Sequence, residues 1–79
     1  MKEKIRQFLA KNKNTENLTD DDDLFEKGFV NSLFALQLIL FLEKEFRVRI
    51  PNDVIKEDNF RSVNAIVGTV AALTGSSAD

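Results

Sequence analysis

A long apolar segment, Leu33 to Phe46, most constrains how this chain can fold. From Leu33 to Leu42, Gln37 is the only polar residue. The apolar residues recur at helical spacing, which predicts a helix over about Ser32 to Arg47. The face predicted to lie in the core consists of Ala35, Leu38, Ile39, Leu42 and Phe46. The core around this helix must be thin, because a domain of this size buries only about 60% of its unfolded surface.

A second apolar stripe of the same helix is turned away from the predicted core face. It consists of Leu33, Leu36 and Leu40, with Gln37 and Lys44 beside them. Each leucine left in water would forfeit roughly 1.5–3 kcal/mol of stabilisation. The stripe therefore either packs beneath the preceding loop or stays partly exposed to bind a partner. We favour partner binding for Leu36 and Leu40, whereas Leu33 fits either alternative.

Two further helices are predicted on either side of this segment. Helical spacing of apolar residues predicts an amphipathic helix over residues 2–12. Another helix is predicted to begin after the cap Ser62 and to end at Gly75. Short helical turns are expected at 52–56 and 58–61. The predicted architecture is an all-α four-helix bundle, three main helices plus one short helix, in a single domain over 1–75 with a frayed tail at 76–79.

A long loop joins the first two predicted helices and ends at Asn31. It contains apolar side chains that a disordered linker would lack, namely Leu18, Leu24, Phe25, Phe29 and Val30. We expect them to fasten the loop to the helices, since a loop of this length without secondary structure is usually functional or tied down. An i,i+4 ion pair is expected between Glu43 and Arg47.

Composition excludes several classes of function. The chain contains neither histidine nor cysteine, which excludes a disulfide framework and a thiolate metal site. The run Asp20 to Asp23 is acidic, but a calcium loop starting at Asp23 would place Phe25 and Lys27 at ligand positions. We therefore expect a solvated acidic loop and no metal.

The basic N-terminal segment is interpreted as a solvated helix face. No aromatic residue interleaves with its lysines as in nucleic-acid-binding segments, so no nucleic-acid partner is expected. No apolar run approaches the roughly 20 residues of a membrane span. Residues 1–6 lack the apolar stretch of a secretory signal. A cytoplasmic, monomeric protein without membrane contact is the resulting expectation.

Ser32 lies at the boundary between the long loop and the apolar helix. Free N–H groups and the helix dipole favour a phosphate at such a position. Either Asn31 or Ser32 can cap the helix, and a plain cap is the alternative to a functional role. Because no histidine is available to activate the hydroxyl, Ser32 fits a substrate of another enzyme better than a catalyst.

The segment from Asp23 to Leu33 resembles the acyl and peptidyl carrier protein family. The similarity continues at Leu38, Leu42, Glu43, Phe46, Ile50, Pro51, Phe60, Ser62 and Val63. This resemblance implies a four-helix bundle with a long first loop. It implies that a phosphopantetheinyl transferase attaches phosphopantetheine from coenzyme A to Ser32, and that the arm carries an acyl group as a thioester. Such a carrier is not itself an enzyme.

Asn31 departs from the family, which usually has aspartate before the modified serine. The residues expected to contact partners are Asn31, Leu33, Leu36, Gln37, Leu40 and Lys44. These partners would be the transferase, acyl-loading and acyl-modifying enzymes, and an acyltransferase or synthase acceptor. Fatty-acid carriers are acidic along this helix, so enzymes that dock through basic patches are expected to bind weakly.

The stretch from Gly28 to Gln37 resembles freestanding carriers of polyketide or mixed polyketide/peptide metabolism that hold hydroxy-, methoxy- or aminomalonyl extender units. The alternative is a D-alanyl or aminoacyl carrier protein, because the segment from Phe25 to Gly28 has the Phe-Glu-x-Gly beginning of D-alanyl carriers. A third alternative is a helical interaction module without a carrier function.

Overall fold

The computed structural model describes residues 1–75, which contain three α-helices and no strand. The helices are α1 (Lys2–Ala10), α2 (Ser32–Phe46) and α3 (Val63–Thr74). Two short 3-10 turns, Asn52–Val54 and Glu57–Phe60, lie between α2 and α3. The all-helical prediction is confirmed. The predicted frayed tail, residues 76–79, lies outside the described residues.

The short helical turns predicted at 52–56 and 58–61 are confirmed as the two 3-10 turns, whereas the predicted short fourth α-helix is not formed. Pro51 enters the first turn in an extended conformation, with ψ 156°. Ile55 leaves it with ψ 82°, outside the helical region, so an i→i−4 ladder cannot continue. The Asn59 side-chain amide donates to the Val54 carbonyl at 2.7 Å and ties the second turn to the first. This segment therefore forms two single turns and no α-helix.

The core lies between the inner faces of the three α-helices. On α2 the predicted core face is confirmed at its centre, where Leu38, Ile39 and Leu42 are buried. The remaining buried helix residues are Ile5 and Leu9 of α1, and Val63, Ile66, Val67 and Val70 of α3. Phe8 of α1 joins α1 to α2 by stacking on two rings of α2, those of Phe41 at 4.4 Å and Phe34 at 5.2 Å between centroids.

The loop between α1 and α2, called here loop 1 (residues 11–31), is fastened as predicted. Its apolar residues Leu18, Leu24, Phe29 and Val30 are buried in the core. The Leu24 N–H donates to the Arg61 carbonyl at 2.6 Å. Near the other end of the loop, the Asn12 side chain donates to the Phe29 carbonyl at 3.0 Å. The Arg6 guanidinium of α1 donates to the Leu18 carbonyl at 2.8 Å, so loop 1 is held to α1 and to the segment before α3.

The acidic run of loop 1 makes its contacts within the protein. Asp20 pairs with Lys2 and Arg6, at 3.1 and 2.9 Å. Asp23 Oδ1 accepts from the N–H groups of residues 25 and 26 and so caps the turn that follows it. The acidic run remains partly exposed, in line with the expected solvated loop, and its carboxylates also fasten loop 1.

The predicted ion pair between Glu43 and Arg47 is not formed. Glu43 Oε2 instead accepts from the Ile50 N–H at 2.9 Å. Arg47 ends α2 in the left-handed conformation, with φ 52° and ψ 52°. This turn breaks the helical i,i+4 geometry on which the prediction rested.

The core anchor of loop 1 can be tested by comparing two leucines. Leu24 is fully buried, so Leu24→Ala should lower the free energy of unfolding by about 2–5 kcal/mol. Leu36 is 60% exposed, so Leu36→Ala should change it by less than about 0.5 kcal/mol. Urea unfolding followed by circular dichroism measures both. Equal losses for the two variants would contradict the burial of Leu24 and the exposure of Leu36.

The pH dependence of stability should report the contact between Asp20 and α1. The hydrogen bond from Lys2, together with Arg6, holds the pKa of Asp20 below its ordinary value, although partial burial opposes this. The stabilisation is therefore fully present above the unfolded-state pKa of about 3.9 and is lost as the pH falls through the lowered pKa. Asp20→Asn should be less stable than the wild type at pH 7 and should lose less stability between about pH 5 and pH 2.

Urea midpoints measured across this pH range test the Asp20 prediction. High salt should weaken the acid dependence of the wild type, because the ion pairs are half-exposed and are screened. Parallel pH profiles for the wild type and Asp20→Asn would show that this carboxylate does not stabilise the fold.

Candidate functional site

A tight turn at the end of loop 1 positions the start of α2. Gly28 has φ 80°, a conformation that other residues rarely adopt. This allows the N–H groups of both Phe29 and Val30 to donate to the Leu24 carbonyl, at 2.9 and 3.1 Å. Both side chains are buried, so the chain reaches Asn31 from a fixed point on the core.

Asn31 is the residue that caps α2. Its backbone is extended, and its Oδ1 atom accepts from the Phe34 N–H at 2.8 Å. Ser32 is the first residue of the helix and is exposed. Sequence alone left the cap to either residue, and the structure assigns it to Asn31.

The Ser32 hydroxyl has no structural task within residues 1–75. It takes part in none of the hydrogen bonds of this part of the chain, whereas Ser62 Oγ accepts from the Ala65 N–H at 3.0 Å and caps α3. The hydroxyl also lies at the positive end of the α2 dipole, beside N–H groups that precede the helical ladder. It is therefore free to form a phosphodiester that faces solvent.

The second apolar stripe of α2 is exposed. The exposed fractions of Leu33, Leu36 and Leu40 are 69%, 60% and 63%. Packing beneath loop 1 is therefore excluded for all three side chains. Gln37 and Lys44 are exposed beside them. We call Leu33, Leu36 and Leu40 the leucine stripe; it begins one residue after Ser32.

The acidic run of loop 1 is not arranged to hold a metal. Within residues 1–75, no three His, Cys, Asp or Glu side chains come close enough together for a metal ion. Asp22 accepts from the Thr19 N–H at 2.9 Å, which lowers its pKa. Asp21 accepts from the Asn64 side chain at 2.6 Å.

No helix among the described residues is long and apolar enough to cross a membrane.

Two residues that no motif in the sequence singles out support the turn before Ser32. Asn12 donates to the Phe29 carbonyl, and the Lys13 ammonium donates to the Lys27 carbonyl. A Cβ added at Gly28 would lie 3.4 Å from Lys13 Nζ, so this side chain closes over the turn. Both are polar residues just after α1, a pattern too common in sequences to identify such a role.

A small all-helical fold with an exposed, unengaged serine at the start of its central helix has the features of a carrier for a covalently attached group. Residues 2–70 match the family model described as the phosphopantetheine attachment site. The chain belongs to this family, whose prosthetic group is phosphopantetheine.

Several relatives share the name D-alanyl carrier protein. The protein of Leuconostoc mesenteroides is 34% identical over 62 residues, which covers 76% of this chain and 80% of the relative. That of Leuconostoc citreum is 32% identical over the same length. That of Streptococcus sanguinis is 35% identical over 60 residues, covering 73% of this chain and 76% of the relative.

The division of tasks between Asn31 and Ser32 is testable. Asn31→Ala should lower the free energy of unfolding by about 0.5–2 kcal/mol, because the Phe34 N–H loses its acceptor. Ser32→Ala should change it by less than about 0.5 kcal/mol, since the hydroxyl makes no internal contact. Thermal and urea unfolding of the unmodified protein measure both. A larger loss for Ser32→Ala than for Asn31→Ala would reverse the assignment.

Proposed function

We propose that Ser32 is the attachment point of phosphopantetheine and that the protein carries an amino acid, D-alanine, on this arm. Within the family match, residues 2–70, the sequence has two serines, Ser32 and Ser62. Ser62 Oγ caps α3, whereas the Ser32 hydroxyl is exposed and unengaged. This contrast is the observation that carries the proposal.

Phosphopantetheine fits at Ser32, and its attachment requires no catalytic residue from this chain. The bound arm supplies a terminal thiol, which holds the cargo as a thioester. Ser32 contributes the hydroxyl oxygen, and the N-terminus of α2 favours the negative charge of the phosphodiester. The cap at Asn31 keeps this end of the helix in place, because it does not use Ser32. Activation of the hydroxyl is left to the phosphopantetheinyl transferase.

The names of the relatives favour D-alanine as the cargo. They agree with the alternative drawn from the Phe-Glu-x-Gly segment, not with the extender units of polyketide metabolism. We therefore propose a D-alanyl carrier, with residues 1–75 as the carrier unit. Its partners would be the transferase, an enzyme that loads the amino acid and an acceptor that receives it. Asn31, Gln37, Lys44 and the leucine stripe would contact them.

The attachment site predicts which serine gains mass. Incubation with coenzyme A and a phosphopantetheinyl transferase of broad tolerance should raise the intact mass of the wild type by one phosphopantetheine group. Ser32→Ala should not gain it, because the accepting oxygen is absent. Ser62→Ala is the matched control and should be modified like the wild type, although it loses a helix cap worth about 0.5–2 kcal/mol. A modified Ser32→Ala variant would refute the site.

The cargo is tested on protein isolated from its native cell. Fragmentation of the modified chain should release the arm with one alanine, and chiral analysis after mild alkaline hydrolysis should identify it as the D enantiomer. A three-carbon diacid derivative on the arm would overturn D-alanine and favour an extender-unit carrier, with Ser32 still the site.

A further inference from the structure

The cations of this chain divide sharply according to their partners. Of the 11 lysines and arginines, those that pair with carboxylates are Lys2, Lys4, Arg6, Lys27 and Arg61. The ammonium groups of Lys11 and Lys13 lie over phenyl rings, at 5.8 and 5.3 Å from the ring centroids. The cations left without a carboxylate partner in residues 1–75 are Lys44, Arg47, Arg49 and Lys56. Three of them follow one another at the end of α2.

We call Lys44, Arg47 and Arg49 the basic end. Lys44 and Arg47 continue the leucine stripe, and Arg49 lies three residues beyond the last residue of α2. On an α-helix, residues 33, 36, 40, 44 and 47 fall within an arc of about 80°, at 100° per residue. All three cations are exposed. At a rise of 1.5 Å per residue, Lys44 lies about 18 Å along the helix axis from Ser32. This face of α2 therefore begins at Leu33, next to Ser32, is apolar along its middle and ends in the cations Lys44 and Arg47.

Within residues 1–75, neither neighbouring carboxylate, Glu43 or Glu45, forms an ion pair with the basic end. Glu45 pairs with Lys4 of α1 at 3.9 Å. Glu43 accepts from the Ile50 N–H at 2.9 Å. The α2 dipole favours a cation in the last helical turn, but this effect fades beyond it, where Arg49 lies. The three cations of the basic end outnumber these two carboxylates, and none of the three is ion-paired within residues 1–75, so they are available to a partner.

We propose that the enzyme that loads this carrier binds α2 in a groove with an apolar floor for the leucine stripe and carboxylates at its far end for the basic end. This inference rests on the proposed carrier function. The leucine stripe alone gives α2 little preference for one direction in a groove. Charge pairing at one end fixes the direction and places Ser32 at the opposite end, toward the active site.

The leucine stripe followed by the basic end fits a groove on a partner protein better than a membrane surface or a second copy of this chain. A helix lying on a bilayer has a broad apolar face and cations along its polar face, whereas these cations lie at one end of a narrow stripe. The chain also has a net charge of −2. An antiparallel pair of α2 helices would bring Lys44 toward the positive N-terminus of the other copy, and three leucines per copy fall far short of the roughly 800 Å² per partner of a stable interface.

The test uses charge reversal on the full-length carrier bearing phosphopantetheine. The loading enzyme is purified from the native cell by following transfer of labelled D-alanine to the carrier. Lys44→Glu and Arg49→Glu should each raise the KM for the carrier about tenfold with little change in kcat, because a rim charge acts on association. Lys56→Glu is the matched control, since it reverses another unpaired cation outside α2, and it should change KM less than about twofold.

Salt dependence and a neutral variant distinguish charge attraction from a loss of folding. Between about 0.05 and 0.3 M NaCl, the wild-type KM should rise and that of Lys44→Glu should change less, because screening removes the attraction. Lys44→Gln should give an intermediate KM, and circular dichroism should show all variants folded. An unchanged or lower KM for Lys44→Glu would overturn the proposal, as would an equal effect of Lys56→Glu.

Two further outcomes distinguish related failures. If the wild type binds phosphatidylglycerol vesicles and Lys44→Glu abolishes this without raising KM, the basic end serves a membrane and the protein-groove proposal is wrong. If the wild type gains no phosphopantetheine, the carrier function itself fails. Normal phosphopantetheine gain by Lys44→Glu with an unchanged KM would reject the docking proposal alone.

Discussion

The position of Ser32 depends on how the backbone of Leu24 is held. Its side chain is fully buried, its N–H donates to the Arg61 carbonyl, and its carbonyl accepts from the N–H groups of Phe29 and Val30. One residue of loop 1 thereby joins the segment before α3 to the turn that begins α2. Because the turn is fixed on the core, an exposed serine can lie at a defined place without being held by its own side chain.

At the start of α2, Asn31 stabilises the helix, and the Ser32 hydroxyl is not needed for that purpose. A helix that begins with serine often uses the hydroxyl as its cap, and a hydroxyl modified by another enzyme could not keep that task. Here Asn31 supplies the cap with a neutral side chain. The aspartate that is usual in carriers would bring a negative charge to this position, and Asn31 does not. Under the proposed function, a transferase that recognises Ser32 does so without that charge.

Some charged side chains stabilise the fold through ion pairs, whereas others are exposed without a carboxylate partner among residues 1–75. Two cations of α1, Lys2 and Arg6, fasten loop 1 through Asp20. The cations at the end of α2 have no such partner among residues 1–75. A carrier whose central helix is apolar and ends in positive charge suits enzymes other than those with basic docking patches. The net charge of −2 does not show which charged side chains are paired and which are not.

Periodicity in the sequence determined the three α-helices and the buried face of α2. Local chemistry determined that Gly75 ends α3 and that Ser32 lies at the start of α2. These features depend on residues close together in the chain. Only the tertiary structure decided that Asn31 is the cap, that the acidic run binds α1 and α3, and that Glu43 holds the Ile50 N–H instead of Arg47. Each of these depends on which groups the folded chain brings within hydrogen-bond distance. The exposure of the leucine stripe was decided in the same way, because a stripe of leucines has the same sequence pattern whether loop 1 covers it or leaves it in water.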